Sequence, residues 1–161
     1  MPALRALELE SVQLPDEAAQ ELFRASSAEA APQLRALRIW YAGLTPAVAR
    51  MLAASGWRLE ELRLYSNRSL GAAGIAALVA APTFALRRLA LRWCGLGAAA
   101  LLALADAPWL LEELDLSGND FRATGAVPAL AALSRHAGLR KLDARNCRQG
   151  AADFKALVEA A

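Results

Sequence analysis

The stretch LEELRLYSNRSL, Leu59 to Leu70, places leucine at its first, fourth and sixth positions and asparagine at its ninth. Five more stretches share its frame: LRALELESVQL from Leu4, LRALRIWYAGL from Leu34, LRRLALRWCGL from Leu86, LEELDLSGNDF from Leu111 and LRKLDARNCRQ from Leu139. Their starts are 30, 25, 27, 25 and 28 residues apart. A period in that range is the mark of stacked structural units. A helix does not use the spacing within a block well. At about 100° per residue, Leu7 falls near 300° and Leu9 near 140° from Leu4, so the three share no stripe. On a strand, residues two apart point to one face, which brings Leu7 and Leu9 together. Each block therefore predicts a short strand centred on its fourth to sixth positions.

The intervals between blocks read as helices. Thr45-Pro46 is a capping residue followed by proline in the first helical turn. Ile75, Leu78 and Val79 are spaced for a helix that Pro82 ends, and Leu101, Leu102 and Leu104 stand in the same relation to Pro108. Phe154, Leu157 and Val158 repeat the pattern. Parallel strands need a crossover of a dozen or more residues, and these intervals supply it. The ninth position is Val12, Ala42, Asn67, Cys94, Asn119 and Cys147. An Asn amide there can satisfy backbone groups that a turning chain leaves unpaired.

The motif LxxLxLxxN/CxL resembles that of the leucine-rich-repeat family. The run Asn67-Arg68-Ser69-Leu70-Gly71-Ala72-Ala73-Gly74-Ile75 is similar to the ribonuclease-inhibitor-like subclass. Leu70 falls one residue late, Ala144 replaces a large apolar residue and Gln149 ends its block polar, all departures from the pattern. The expected fold is α/β: one domain over residues 1–161, a leucine-rich-repeat solenoid of about six repeats, curved, with a parallel inner sheet and outer helices. The resemblance implies protein binding on the concave face. It also brings in two alternatives, a GTPase activator of the Ran type and the substrate-capture part of a ubiquitin ligase.

With fourth and sixth positions facing the core, the third, fifth and seventh face the open side of the sheet. The middle blocks then gather Arg38, Trp40, Tyr41, Arg63, Tyr65, Arg92 and Trp93 as a candidate partner site. Trp, Tyr and Arg are the residue types enriched at binding hot spots. The bland reading is that tryptophan and arginine stack on each other as solvated cation–π pairs. A basic, aromatic middle flanked by Glu8, Glu10, Asp115 and Asp120 predicts an acidic peptide or protein surface as the complement. Two residues before the block starts stand Pro32, Trp57, Phe84, Trp109 and Ala137, an aromatic column that reads as a buried spine, the rival being a ligand ladder.

The chain has 161 residues, a 57% hydrophobic fraction and a net charge of +2. That charge makes no electrostatic case for nucleic acid, although arginine with interleaved aromatics is also a stacking chemistry for single strands. No apolar run approaches the roughly 20 residues of a membrane span, and the N-terminus lacks the pattern of a signal peptide. Cys94 and Cys147 are too few for a disulfide framework and fit a reducing, cytoplasmic setting. His136 is the only histidine, so a two-histidine metal site is impossible. No P-loop is present. No catalytic residue, cofactor or metal is expected. The first block has no cap before it, which predicts an exposed strand edge: either the protein continues upstream or the edge self-associates. A helix over residues 153–159 is expected to follow the last strand.

Overall fold

The structure, a computed structural model, describes residues 4–25, 33–122, 126–135 and 138–147. Strands and helices alternate: β1 (Ala6–Glu10), α1 (Asp16–Ala25), β2 (Ala36–Trp40), α2 (Pro46–Ala53), β3 (Glu61–Tyr65), α3 (Gly71–Val79), β4 (Arg88–Ala90), α4 (Ala98–Ala105), β5 (Glu113–Asp115), α5 (Ala126–Ser134) and β6 (Lys141–Asp143). The strands form one parallel sheet in sequence order. Each crossover is a helix packed against its neighbours in the chain. The expected helix over residues 153–159, His136 and the column positions Pro32 and Ala137 lie outside the described residues.

The register follows the block frame. Leu7 pairs with Leu37, Leu37 with Leu62, Leu62 with Leu89, Leu89 with Leu114 and Leu114 with Leu142. The four central leucines are buried, whereas Leu7 and Leu142 are half-buried. The fourth-position leucines, expected to face the core, are thus less covered at Leu7 and Leu142, where among the described residues each has a neighbouring strand on one side alone. β1 pairs only with β2 among the described residues. Its flanking Leu4 and Val12 are exposed.

Thr45 caps α2 as its sequence predicts, its hydroxyl accepting from the Val48 amide at 3.2 Å, with Pro46 in the first turn. In α4, Leu101 and Leu104 are buried but Leu102 is 53% exposed, so it does not belong to the core. The late Leu70 is fully buried, its amide bonded to the Asn67 carbonyl, so the extra residue is absorbed in the turn before α3. Trp57, Phe84 and Trp109 are buried. Phe23 meets the Trp57 ring edge-on at 5.7 Å. The aromatic column is therefore a structural spine.

The ninth positions tie adjacent loops together. Asn67 Oδ1 accepts from the Ala42 and Leu44 amides at 3.1 and 3.2 Å, and its Nδ2 donates to the Ile39 and Tyr65 carbonyls at 3.1 and 3.0 Å. Asn119 does the same for the Cys94 and Leu96 amides and the Leu91 and Leu116 carbonyls. Cys94 and Cys147 take the intervening places, donating from Sγ to the Leu64 and Leu116 carbonyls. Val12 departs from the pattern: it is 46% exposed.

Both cysteines are free and buried. Burial pushes the Cys94 thiol up to about 12, outweighing a backbone hydrogen bond at Asn67 that acts to lower it. Burial likewise raises Cys147. A thiol is a nucleophile only as thiolate. Native protein should therefore resist an aromatic disulfide reagent at pH 8, with both thiols reacting once urea unfolds it. Rapid labelling of either in native protein would contradict this packing.

Candidate functional site

The seven residues singled out from the sequence separate into two groups. Trp40, Tyr41, Tyr65, Arg92 and Trp93 surround one open cavity of about 430 Å³, together with Glu10 and Ser66. Trp40 and Tyr65, cross-strand partners at the seventh position, stack at 6.0 Å with their planes 22° apart. The Arg92 guanidinium lies over the Tyr65 ring at 5.7 Å. The cation–π contact here is thus arginine on tyrosine and not the expected tryptophan–arginine stack, and Trp40 stacks on Tyr65 instead. Trp40 Nε1 is buried without an acceptor among the described residues.

Tyr41 and Trp93 come from the eighth position, and the backbone there is unusual. Ser11, Tyr41, Ser66, Trp93, Gly118 and Asn146 all have φ between 53° and 77°. The left-handed conformation is fixed by a repeated bond. Each eighth-position amide from Ser11 to Gly118 donates to the seventh-position carbonyl of the next strand, as Tyr41 does to Tyr65 and Trp93 to Ser117. Glycine and asparagine suit such positions, and bulky residues are strained there by about 1–2 kcal/mol. Yet Tyr41 is 59% and Trp93 43% exposed. Burial does not account for placing these large rings at such costly positions.

Arg38 and Arg63 are drawn elsewhere. Glu61, buried at the third position of its block, binds three guanidinium groups: Arg38 Nε at 2.7 Å, Arg63 Nε at 2.8 Å and Arg88 Nε at 3.0 Å. Arg38 also bridges to Glu8. Arg92 Nε stands 3.6 Å from Asp115. The expectation of a free basic patch is corrected here, because in-chain carboxylates meet these arginines. Charge instead runs in strand-wise stripes. β1 offers Glu8 and Glu10, β4 and its extension Arg88 and Arg92, and β5 Glu113 and Asp115.

Glu61 and Arg88 escaped the sequence reading. A third-position column would have shown Glu61 beside Arg88 and diagonal to Arg38, but the ion pairs depend on strand register.

Burial pushes the Glu61 carboxyl up, but hydrogen bonds from Arg38 and Arg88 and the charges of Arg63 and Arg38 outweigh it, so it lies below its ordinary value of 4.5. A carboxyl depressed on folding contributes stability that is present above its unfolded value and is lost as pH falls through the folded one. Urea midpoints of the native protein and Glu61→Gln should therefore differ most near pH 7 and converge in acid. A gap independent of pH would show that the charge of Glu61 is immaterial.

Among the described residues, no group of three or more His, Cys, Asp or Glu side chains is placed to hold a metal. No helix among them is long and apolar enough to cross a membrane.

A family model described as a leucine-rich repeat matches residues 110–128, the segment running through β5 into α5. The match supports a leucine-rich-repeat family and suggests a protein-interaction module. The six-stranded parallel sheet alternating with five helices among the described residues is consistent with a solenoid of that kind. No curated protein matches the chain.

Proposed function

We propose that this chain is a non-enzymatic protein-interaction module whose partner seats on the open face of the sheet, over Trp40, Tyr41, Tyr65, Arg92 and Trp93. In this reading the six blocks are ribonuclease-inhibitor-like repeats of one domain, and the open face is the concave side of a curved solenoid. Two buried free thiols fit a reducing, cytoplasmic setting. Arg38 and Arg63, on the same face two residues earlier in their strands, are held by Glu61 and serve to order the face instead of touching the partner. A complement to the charge stripes replaces a uniformly acidic partner surface.

One observation carries the reading: Tyr41 and Trp93 are exposed at left-handed positions that would be more comfortable as glycine or asparagine. Strain retained against the interest of stability is a pointer to function. The double variant Tyr41→Asn/Trp93→Asn removes both rings and suits the backbone. Tyr41→Asn alone should keep or raise stability by about 1 kcal/mol, because it relieves the left-handed strain at little packing loss. A displayed peptide library selected on the native protein should yield binders that compete with one another and weaken at least tenfold on the double variant. Binders retained equally by that variant would overturn the proposal.

A further inference from the structure

The seventh-position column runs from Glu10 on β1 through Trp40 on β2 and Tyr65 on β3 to Arg92, just beyond β4. One end of it is complete. The Arg92 guanidinium covers the Tyr65 ring at 5.7 Å, within the ~6 Å at which an aromatic face attracts a cation. Asp115, on the next strand, answers its charge at 3.6 Å from Nε. The order at this end is ring, cation, carboxylate. The other end has the ring and the carboxylate but not the cation. Tyr65 stacks on Trp40 from the β3 side, so the opposite face of the indole is the one toward β1, where the register sets Glu10 beside it. Among the described residues no further ring or cation stacks on Trp40, and no cation pairs with Glu10. Glu8, two residues earlier on β1, shows the contrast: it stands opposite Arg38 in register and bridges to it. Opposite Glu10 stands Trp40, and the carboxylate is left exposed at the cavity. The other charged residue lining that cavity, Arg92, is matched by Asp115, so Glu10 sets the sign of the charge there.

We infer that the β1 end of this cavity takes an arginine side chain of the partner, its guanidinium laid on the β1 side of Trp40 and paired with Glu10. This rests on the interaction reading above and names the residue that the same site receives. Charge complementarity selects a cation. Planarity selects arginine among the cations. A guanidinium can lie flat on an indole and still present its edge N–H groups to a carboxylate, whereas a lysine ammonium is a point charge that serves Glu10 alone. The bound arginine extends the stack into the series guanidinium, Trp40, Tyr65, Arg92. The two cations are then separated by both rings, and each has its own carboxylate, Glu10 at one end and Asp115 at the other.

The test uses peptides selected from the displayed library on the full chain, with affinities measured by calorimetry. Each binder lost on Tyr41→Asn/Trp93→Asn is expected to carry an arginine whose replacement by citrulline, which keeps the shape and removes the charge, weakens it at least tenfold. Lysine in its place should weaken it severalfold. Glu10 is exposed, so Glu10→Gln should keep the native circular dichroism. On that variant the arginine peptide should bind severalfold more weakly, and the citrulline swap should then cost little. Such loss of sensitivity marks a direct pair, as in any double-mutant cycle. Trp40→Leu, where its circular dichroism is native, should behave as Glu10→Gln does. Glu17→Gln, an exposed carboxylate on α1, should change nothing, which separates the pair from general acidity. Binders without arginine, a citrulline swap equally costly on Glu10→Gln and the native chain, or lysine peptides as tight as arginine ones would each overturn the inference. If such binders are still lost on Tyr41→Asn/Trp93→Asn, the interaction face stands and its arginine subsite falls. If the binders are indifferent to that double variant, or selection yields none, both fall.

Discussion

Asn67→Ala is expected to cost about 2–4 kcal/mol of folding free energy, since it strands the buried Ala42 and Leu44 amides at about 1 kcal/mol or more each and takes one donor from the Ile39 and Tyr65 carbonyls, of which Tyr65 keeps the Tyr41 amide. Its amide accepts from Ala42 and Leu44 and donates to Ile39 and Tyr65. Asn67 is fully buried, and its partners belong to two successive loops. The loss is therefore shared by the β2 and β3 units instead of remaining local. Asn67→Cys should recover part of it. Cysteine occupies the equivalent position at Cys94, where its thiol donates to the Leu64 carbonyl. A thiol lacks the carbonyl oxygen that gathers two amides, so recovery stays incomplete. Urea denaturation followed by circular dichroism measures all three proteins. A loss for Asn67→Ala below about 1 kcal/mol would mean that the loops find other partners, and the ladder would then be incidental to stability.

Strand positions, their parallel order and the asparagine ladder were legible because each is a local, repeated signal. A leucine at positions one, four and six carries its own period, and six copies reinforce it. Thr45-Pro46 announces the start of α2 in the same local way. What the sequence concealed depends on contacts between blocks. Glu61 looks like one surface carboxylate beside Glu60 until the register sets it among Arg38, Arg63 and Arg88. Those pairs also undo the impression of a basic patch, which arises when arginines are counted without their cross-strand partners. The left-handed eighth position was hidden for another reason. Only Gly118 and Asn146 are residue types that advertise such a backbone, while Ser, Tyr and Trp mask it. Leu102 shows the limit of apolar spacing: Leu101 and Leu104 fill the buried stripe of α4, and Leu102 points away from it.

Positions equivalent in sequence are unequal in energy, and the leucine column provides the measurement. Leu89→Ala should cost roughly 2–5 kcal/mol, the range for deleting a buried leucine whose surroundings cannot collapse. Leu89 is 2% exposed, with Leu62 and Leu114 packed on either side in register. Leu7 occupies the same place in its own block, but among the described residues only Leu37 flanks it and it is half-buried. Leu7→Ala should therefore cost about half as much or less, because part of its surface is already in water and little cavity forms. In an array stabilised by neighbouring units, a central lesion removes two interfaces and a terminal one removes one. Chemical denaturation of both variants in dilute solution gives the ratio. Equal losses would mean that Leu7 is covered after all. A loss at Leu7 that grows with protein concentration would identify the cover as a second copy of the chain paired along the β1 edge, which has no partner strand on that side among the described residues.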